Sequence, residues 1–218
     1  MAQGCLSLSF HLILDLNPFF LYNYCMEKMK NYNSFISFGN DFIKSNAPEL
    51  ARKFFNQALE VKPEDPIALD GLAWTYHMEG KNKKARKILE RAINLDSNFA
   101  EAYTDLGCIL HTLGETKEAE KMHKKSLKID PSRYDAKWKL ALLYFQTNRF
   151  TDLEVFLENN IDVLTQKNEL LQMLGEVKII KKDFQKAKNI FTQCLEKDEH
   201  NVEAGILLSY VEFEMKEK

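Results

Sequence analysis

Cys108 and His111 stand three residues apart, and His77 precedes His111 by 34. Thiolate and imidazole are zinc ligands, and a helix puts residues three apart on one face. These three side chains are therefore the chain's best case for metal chemistry. The geometry speaks against it. Neighbouring helices pack roughly 8–10 Å apart, a zinc–ligand bond is about 2 Å, and no fourth ligand offers itself. The plainer reading is a pair of groove-lining histidines. Elsewhere there is no GxGxxG, Walker loop, HExxH or GxSxG. The glycines are scattered rather than clustered at a helix start, and no carboxylate pair is set for acid–base work. We expect no catalytic residue, no metal and no cofactor, and the chain is read as not an enzyme.

The elements that would carry such side chains recur with an unbroken period. Repeats of 34 residues begin at Tyr32, Pro66, Ala100, Tyr134 and Asn168, giving 32–65, 66–99, 100–133, 134–167 and 168–201. Each unit contains two stretches of helical periodicity. In the third, Tyr103, Leu106, Gly107, Leu110 and Leu113 line one face of a first helix. Gly114 ends that helix at the left-handed C-terminal position. Ala119, Met122, Ser126, Leu127 and Ile129 mark the second helix, and Asp130-Pro131 closes it. A unit that cannot bury its own apolar face is stacked on copies of itself.

Small residues recur where helix backbones approach. Position 8 reads Gly39, Ala73, Gly107, Ala141, Gly175, and position 20 reads Ala51, Ala85, Ala119, Leu153, Ala187. Position 24 fills the space between: Phe55, Leu89, His123, Leu157, Phe191. His123 is thus expected as a buried or half-buried stand-in for an aromatic ring. Position 27 is Ala58, Ala92, Ser126, Asn160 and Cys194. The fourth repeat departs most, with Leu153, Asn160 and Thr165 replacing two small residues and the closing proline. The bulk of Leu153 should spread that helix pair or rotate one member. Over 202–218, Ala204, Leu207, Leu208 and Val211 make an apolar face and the last residues are polar, as a capping helix requires.

Net charge is −2, from 30 basic and 32 acidic residues mixed along the chain, so no basic block invites nucleic acid. Four cysteines without a CxxC suit a reducing compartment, and a cytoplasmic location is expected. Residues 1–31 stand apart. The first 25 are strongly apolar, with Asp15 their single charge. They lack the positive start of a signal peptide, and the run Leu6–Leu14 is too short to span a membrane. Three readings stay open for them: a cap on the first repeat, a weak membrane or targeting segment, or a true start at Met26 or Met29.

With its Leu-Gly pairs, its recurring Ala positions, and Pro63 and Pro131 near repeat ends, the chain resembles the tetratricopeptide repeat (TPR) family from Tyr32 to Asn201. The resemblance implies an all-α fold: a right-handed superhelical solenoid of antiparallel helix pairs, five TPR units plus a C-terminal capping helix. It also implies that first helices line a concave groove through positions 2, 5, 9, 12 and 13. Those positions contribute Asn40, Asp70, Trp74, His77, Met78, Glu101, Cys108, His111, Asp135, Trp138, Leu142 and Phe145. Trp74, Met78, Trp138, Leu142 and Phe145 are the candidate anchors, and Asp70, Glu101 and Asp135 the candidate rim acids. Both placements of Trp74 and Trp138 stay open, in the groove or packed between first helices. Family members that grip a C-terminal carboxylate use Lys and Asn at positions 5 and 9. Here position 5 reads Ile36, Asp70, Thr104, Trp138, Gln172, so that clamp is missing. The expected partner is a neutral to basic peptide or protein with apolar anchors, not nucleic acid and not a membrane. The rival reading is an assembly component that self-associates or docks through its ends or convex face.

Overall fold

The structure, a computed structural model, describes residues 31–160 and 168–217. The apolar N-terminal segment and Thr165 lie outside the described residues, with the expectations that rest on them. Eleven helices and no strand occur among the described residues: α1 Tyr32–Lys44, α2 Pro48–Val61, α3 Pro66–Met78, α4 Asn82–Leu95, α5 Ala100–Thr112, α6 Thr116–Ile129, α7 Tyr134–Gln146, α8 Phe150–Glu158, α9 Asn168–Ile180, α10 Phe184–Lys197 and α11 Val202–Lys216. This is an all-α helical repeat, five consecutive helix pairs followed by α11. The chain divides between Ala102 and Tyr103 into an N-terminal and a C-terminal unit.

Each first helix ends by one device. Position 15 is left-handed in all five repeats: Asn46, Gly80, Gly114, Asn148 and Lys182 have φ of 54°, 75°, 82°, 56° and 60°. The N–H of the next residue then reaches back to the carbonyl five before it. Ala47 donates to Phe42, Lys81 to Tyr76, Glu115 to Leu110, Arg149 to Tyr144 and Asp183 to Lys178, at 2.8–2.9 Å. That bond satisfies an orphan carbonyl and turns the chain toward the second helix. Four of the five residues are Gly or Asn, the types that tolerate this conformation.

Three of the five pairs close through a ring laid on a glycine, while the second and fourth set Leu89 and Leu157 opposite Ala73 and Ala141. In the N-terminal unit the fully buried Phe55 lies between α1 and α3. A Cβ on Gly39 would come within 2.6 Å of its ring, and one on Gly71 within 2.2 Å. In the C-terminal unit His123 covers Gly107 (2.5 Å to a Cβ) and Phe191 covers Gly175 (2.6 Å). No side chain other than hydrogen fits under these rings without displacement. The alanines at position 20 (Ala51, Ala85, Ala119, Ala187) are fully buried beside them.

The fourth repeat departs by losing helix length. α8 has 9 residues, where α2, α4, α6 and α10 each have 14. Leu153 and Leu157 are fully buried. Asn160 follows the end of α8, its side-chain amide donating to the Phe156 carbonyl at 2.8 Å. An amide that competes for backbone groups favours a terminus over a helix interior.

Two outcomes follow from this packing. Lys182 holds a left-handed conformation without being Gly or Asn, so Lys182→Gly should raise unfolding free energy by on the order of 1 kcal/mol in urea titration. His123 is 2 % exposed, and burial, aided by the Lys139 and His111 charges, pushes its pKa down to about 4 from 6.5. The unfolded chain therefore takes up a proton that the folded chain refuses, and stability should fall as pH drops from about 6.5 toward about 4. His123→Phe should flatten that slope above about pH 5, where ordinary carboxylates have not begun to titrate. An unchanged slope in the variant would assign the effect to another group.

Candidate functional site

In the N-terminal unit the candidate residues lie on α1, on α3 and, with the exposed Glu101, at the start of α5. Asn40 is exposed. Trp74, His77 and Met78 are half-buried. The Trp74 and His77 rings meet with centroids 4.9 Å apart, tilted by 55°. His77 Nδ1 lies 2.7 Å from Asn82 Oδ1, so the start of α4 orients the imidazole. Asp70 corrects an expectation. It is 8 % exposed and so is no solvent-facing rim acid. The reason shows at its equivalent in the third repeat. Thr104 is also buried, and its hydroxyl lies 2.8 Å from that of Ser126 on the second helix. Position 5 can therefore turn toward the helix's own partner rather than toward solvent.

In the C-terminal unit α5 and α7 lie together. His111 Nε2 and Gln146 Oε1 are 2.9 Å apart and bridge the two helices. Along α7, Trp138, Leu142 and Phe145 are half-buried at helical spacing of four and three. The Phe145 ring meets Phe150 edge-on, with centroids 5.9 Å apart. Asp135 is exposed, its Oδ1 3.1 Å from Arg133 Nε. Trp138 is thus neither fully packed nor fully free, and the same holds for Trp74.

Burial pushes the Cys108 thiol up to about 12, and the Asp105 and Asp135 charges add to the effect. A thiol held protonated is a poor nucleophile and a poor metal ligand. Among the described residues no three His, Cys, Asp or Glu side chains group to hold a metal ion. No described helix is long and apolar enough to cross a membrane.

Two features escaped the sequence. Lys178, at the position where other repeats carry Tyr76 or Tyr144, is 3 % exposed. It bonds Glu154 of α8, and its Nζ is 2.8 Å from Glu158. The signal was a lysine at an apolar position opposite two acids of the preceding helix. The second feature is on α11, where Val202, Ile206, Tyr210 and Phe213 are 73 %, 64 %, 45 % and 60 % exposed. A capping helix would turn a polar face outward there. Extending the 34-residue period once more, to Val202, would have found it.

Comparison with known proteins agrees with this architecture. Family models described as tetratricopeptide repeat match residues 42–106, and again 100–133 and 169–201. A sequence search of curated proteins finds no match. Among solved structures, pilF of Pseudomonas aeruginosa is similar at TM-score 0.74 and 16% identity, over 85% of this chain and 84% of that one. MamA is similar at TM-score 0.63 and 23% identity, over 76% of this chain and 96% of that one. YrrB, described as a TPR protein with an unusual peptide-binding site, is similar at TM-score 0.61 and 20% identity, over 74% and 84%. At these identities the likeness concerns the fold. Five helix pairs in one register, three of them closed ring-on-glycine, together with the family-model matches over more than half of the chain, place it in the tetratricopeptide repeat family.

Proposed function

We propose that this chain is a non-catalytic protein-interaction module or adaptor whose first helices hold a peptide or partner segment. The observation that carries the reading is α7. It presents Trp138, Leu142 and Phe145 along one face, each half-exposed, while Ala136, Leu140, Ala141, Leu143 and Tyr144 of the same helix are buried. Large side chains that stay partly in water while neighbours pack are the material of binding hot spots. Trp74, His77 and Met78 offer a second such group on α3 of the N-terminal unit. The exposed acid Asp135 at the start of α7 favours a neutral to basic segment with apolar anchors. The peptide-binding site named for YrrB, a similar fold, supports a peptide as the kind of ligand. The same reading places the chain in the cytoplasm, supported by free thiols at Cys108 and Cys194.

The test is affinity purification from the native cell with the intact chain and with Trp74→Ala/Trp138→Ala, circular dichroism verifying that the variant folds. A partner should be captured by the intact chain and lost from the variant. With that partner in hand, Trp138→Ala alone should cost on the order of 2 kcal/mol, roughly thirtyfold in Kd. A partner held equally by both proteins would put the contact elsewhere and overturn the reading.

A further inference from the structure

α11 starts 34 residues after α9 and stands in register as a sixth first helix. Ala204 and Val211 are fully buried, and Lys188 Nζ of α10 is 2.8 Å from Glu212. That fixes which side faces the fifth repeat. The opposite side carries Val202, Ile206 and Phe213 at positions 1, 5 and 12, with Tyr210 beside them at position 9.

The earlier repeats show what such a face is for. At position 1, Asn168 donates to the Cys194 carbonyl of α10 at 3.2 Å. At position 5, Thr104 meets Ser126 of α6. At position 8, Gly175 lies under Phe191. Positions 1, 5 and 8 are thus the seat of a repeat's second helix. In α11 position 8 is Ser209, which is small and exposed, and four residues earlier a Cβ on Gly205 would meet nothing within 4 Å. The seat is open, apolar and edged by small residues that admit a close backbone.

Charge selects the occupant. Glu203 and Glu214 flank the stripe on one edge, and with Glu212 paired to Lys188 on the other side, α11 and Glu217 leave three acids against Lys216. An antiparallel second copy of α11 would set Glu203 against Glu214 of the other copy, like charge on like charge. We propose that α11 is the open half of a helix pair and that its exposed stripe receives a basic amphipathic α-helix from a partner protein, seated as a repeat's second helix. Its contact face would read small, bulky apolar, small at i, i+4 and i+7, as Ala187, Phe191 and Cys194 do on α10.

The chain contains a probe of that chemistry. Residues 82–95 carry Ala85, Leu89 and Ala92 at this spacing, with Lys83, Lys84, Arg86, Lys87 and Arg91 against Glu90. A peptide of these residues, stapled on its solvent side because so short a helix is marginal alone, is titrated with the full chain and read by fluorescence anisotropy. It should bind, and Ile206→Glu and Phe213→Glu, both at exposed sites, should each weaken it by roughly tenfold or more. Leu89→Asp in the peptide should do the same without touching the protein. Loss of binding in Trp138→Ala with Ile206→Glu unaffected would put the peptide on α7 and overturn the proposal. Absence of binding, or binding indifferent to Ile206→Glu, Phe213→Glu and Leu89→Asp, would overturn the proposal. So would a dimer in sedimentation that Ile206→Glu disperses, since the occupant would then be a second copy.

Discussion

The structure depends on one close contact, a ring seated on a helix position that has no side chain. Phe55 meets Gly39 and Gly71, His123 meets Gly107, and Phe191 meets Gly175. A helix needs a neighbour to bury its apolar stripe, and removing Cβ lets the neighbour's backbone and ring come close enough to exclude water. Burying a Phe side chain fully is worth roughly 1.5–3 kcal/mol, and neither helix of a pair obtains it alone. Phe55 also lies against the next repeat through Gly71, so closing one pair prepares the seat of another. His123 performs the same filling with an imidazole, and its depressed pKa is the electrostatic consequence of standing where a phenyl ring stands elsewhere.

That contact explains which surfaces remain for partners. Positions 8 and 20 are held to small or tightly packed residues by the neighbouring helix. Position 9 escapes this constraint. It reads Asn40, Trp74, Cys108, Leu142, Glu176 and Tyr210, and none of the six is buried. A site free of packing demands can change chemistry from repeat to repeat without loss of fold, so the candidate contacts accumulate there. α11 shows the same logic from the other side. A first helix whose seat is open displays the apolar residues that pair formation would have hidden.

Some of this was legible as letters. The period, the helix starts, the small positions and the stand-in role of His123 all follow from spacing, because each residue's place in a repeat recurs 34 residues on. The left-handed turn was visible at Gly114 and follows at Asn46, Gly80 and Asn148. Lys182 was not legible, since nothing in a lysine announces a positive φ; the bond from Asp183 to Lys178 imposes it. The shortening of α8 was visible only as a departure at Leu153 and Asn160.

By itself the sequence determined the all-α repeat, its register and the absence of any familiar catalytic motif, because local periodicity and small-residue spacing act within one helix pair. Tertiary structure decided what each polar or apolar side chain faces. It buried Asp70, enclosed Lys178 between Glu154 and Glu158, left Trp138 half in water and exposed Ile206 and Phe213 on α11. Those outcomes depend on side chains a full helix or more away in sequence. Burial and charge pairing are settled where helices meet, and a residue's position in the repeat narrows that environment without specifying it.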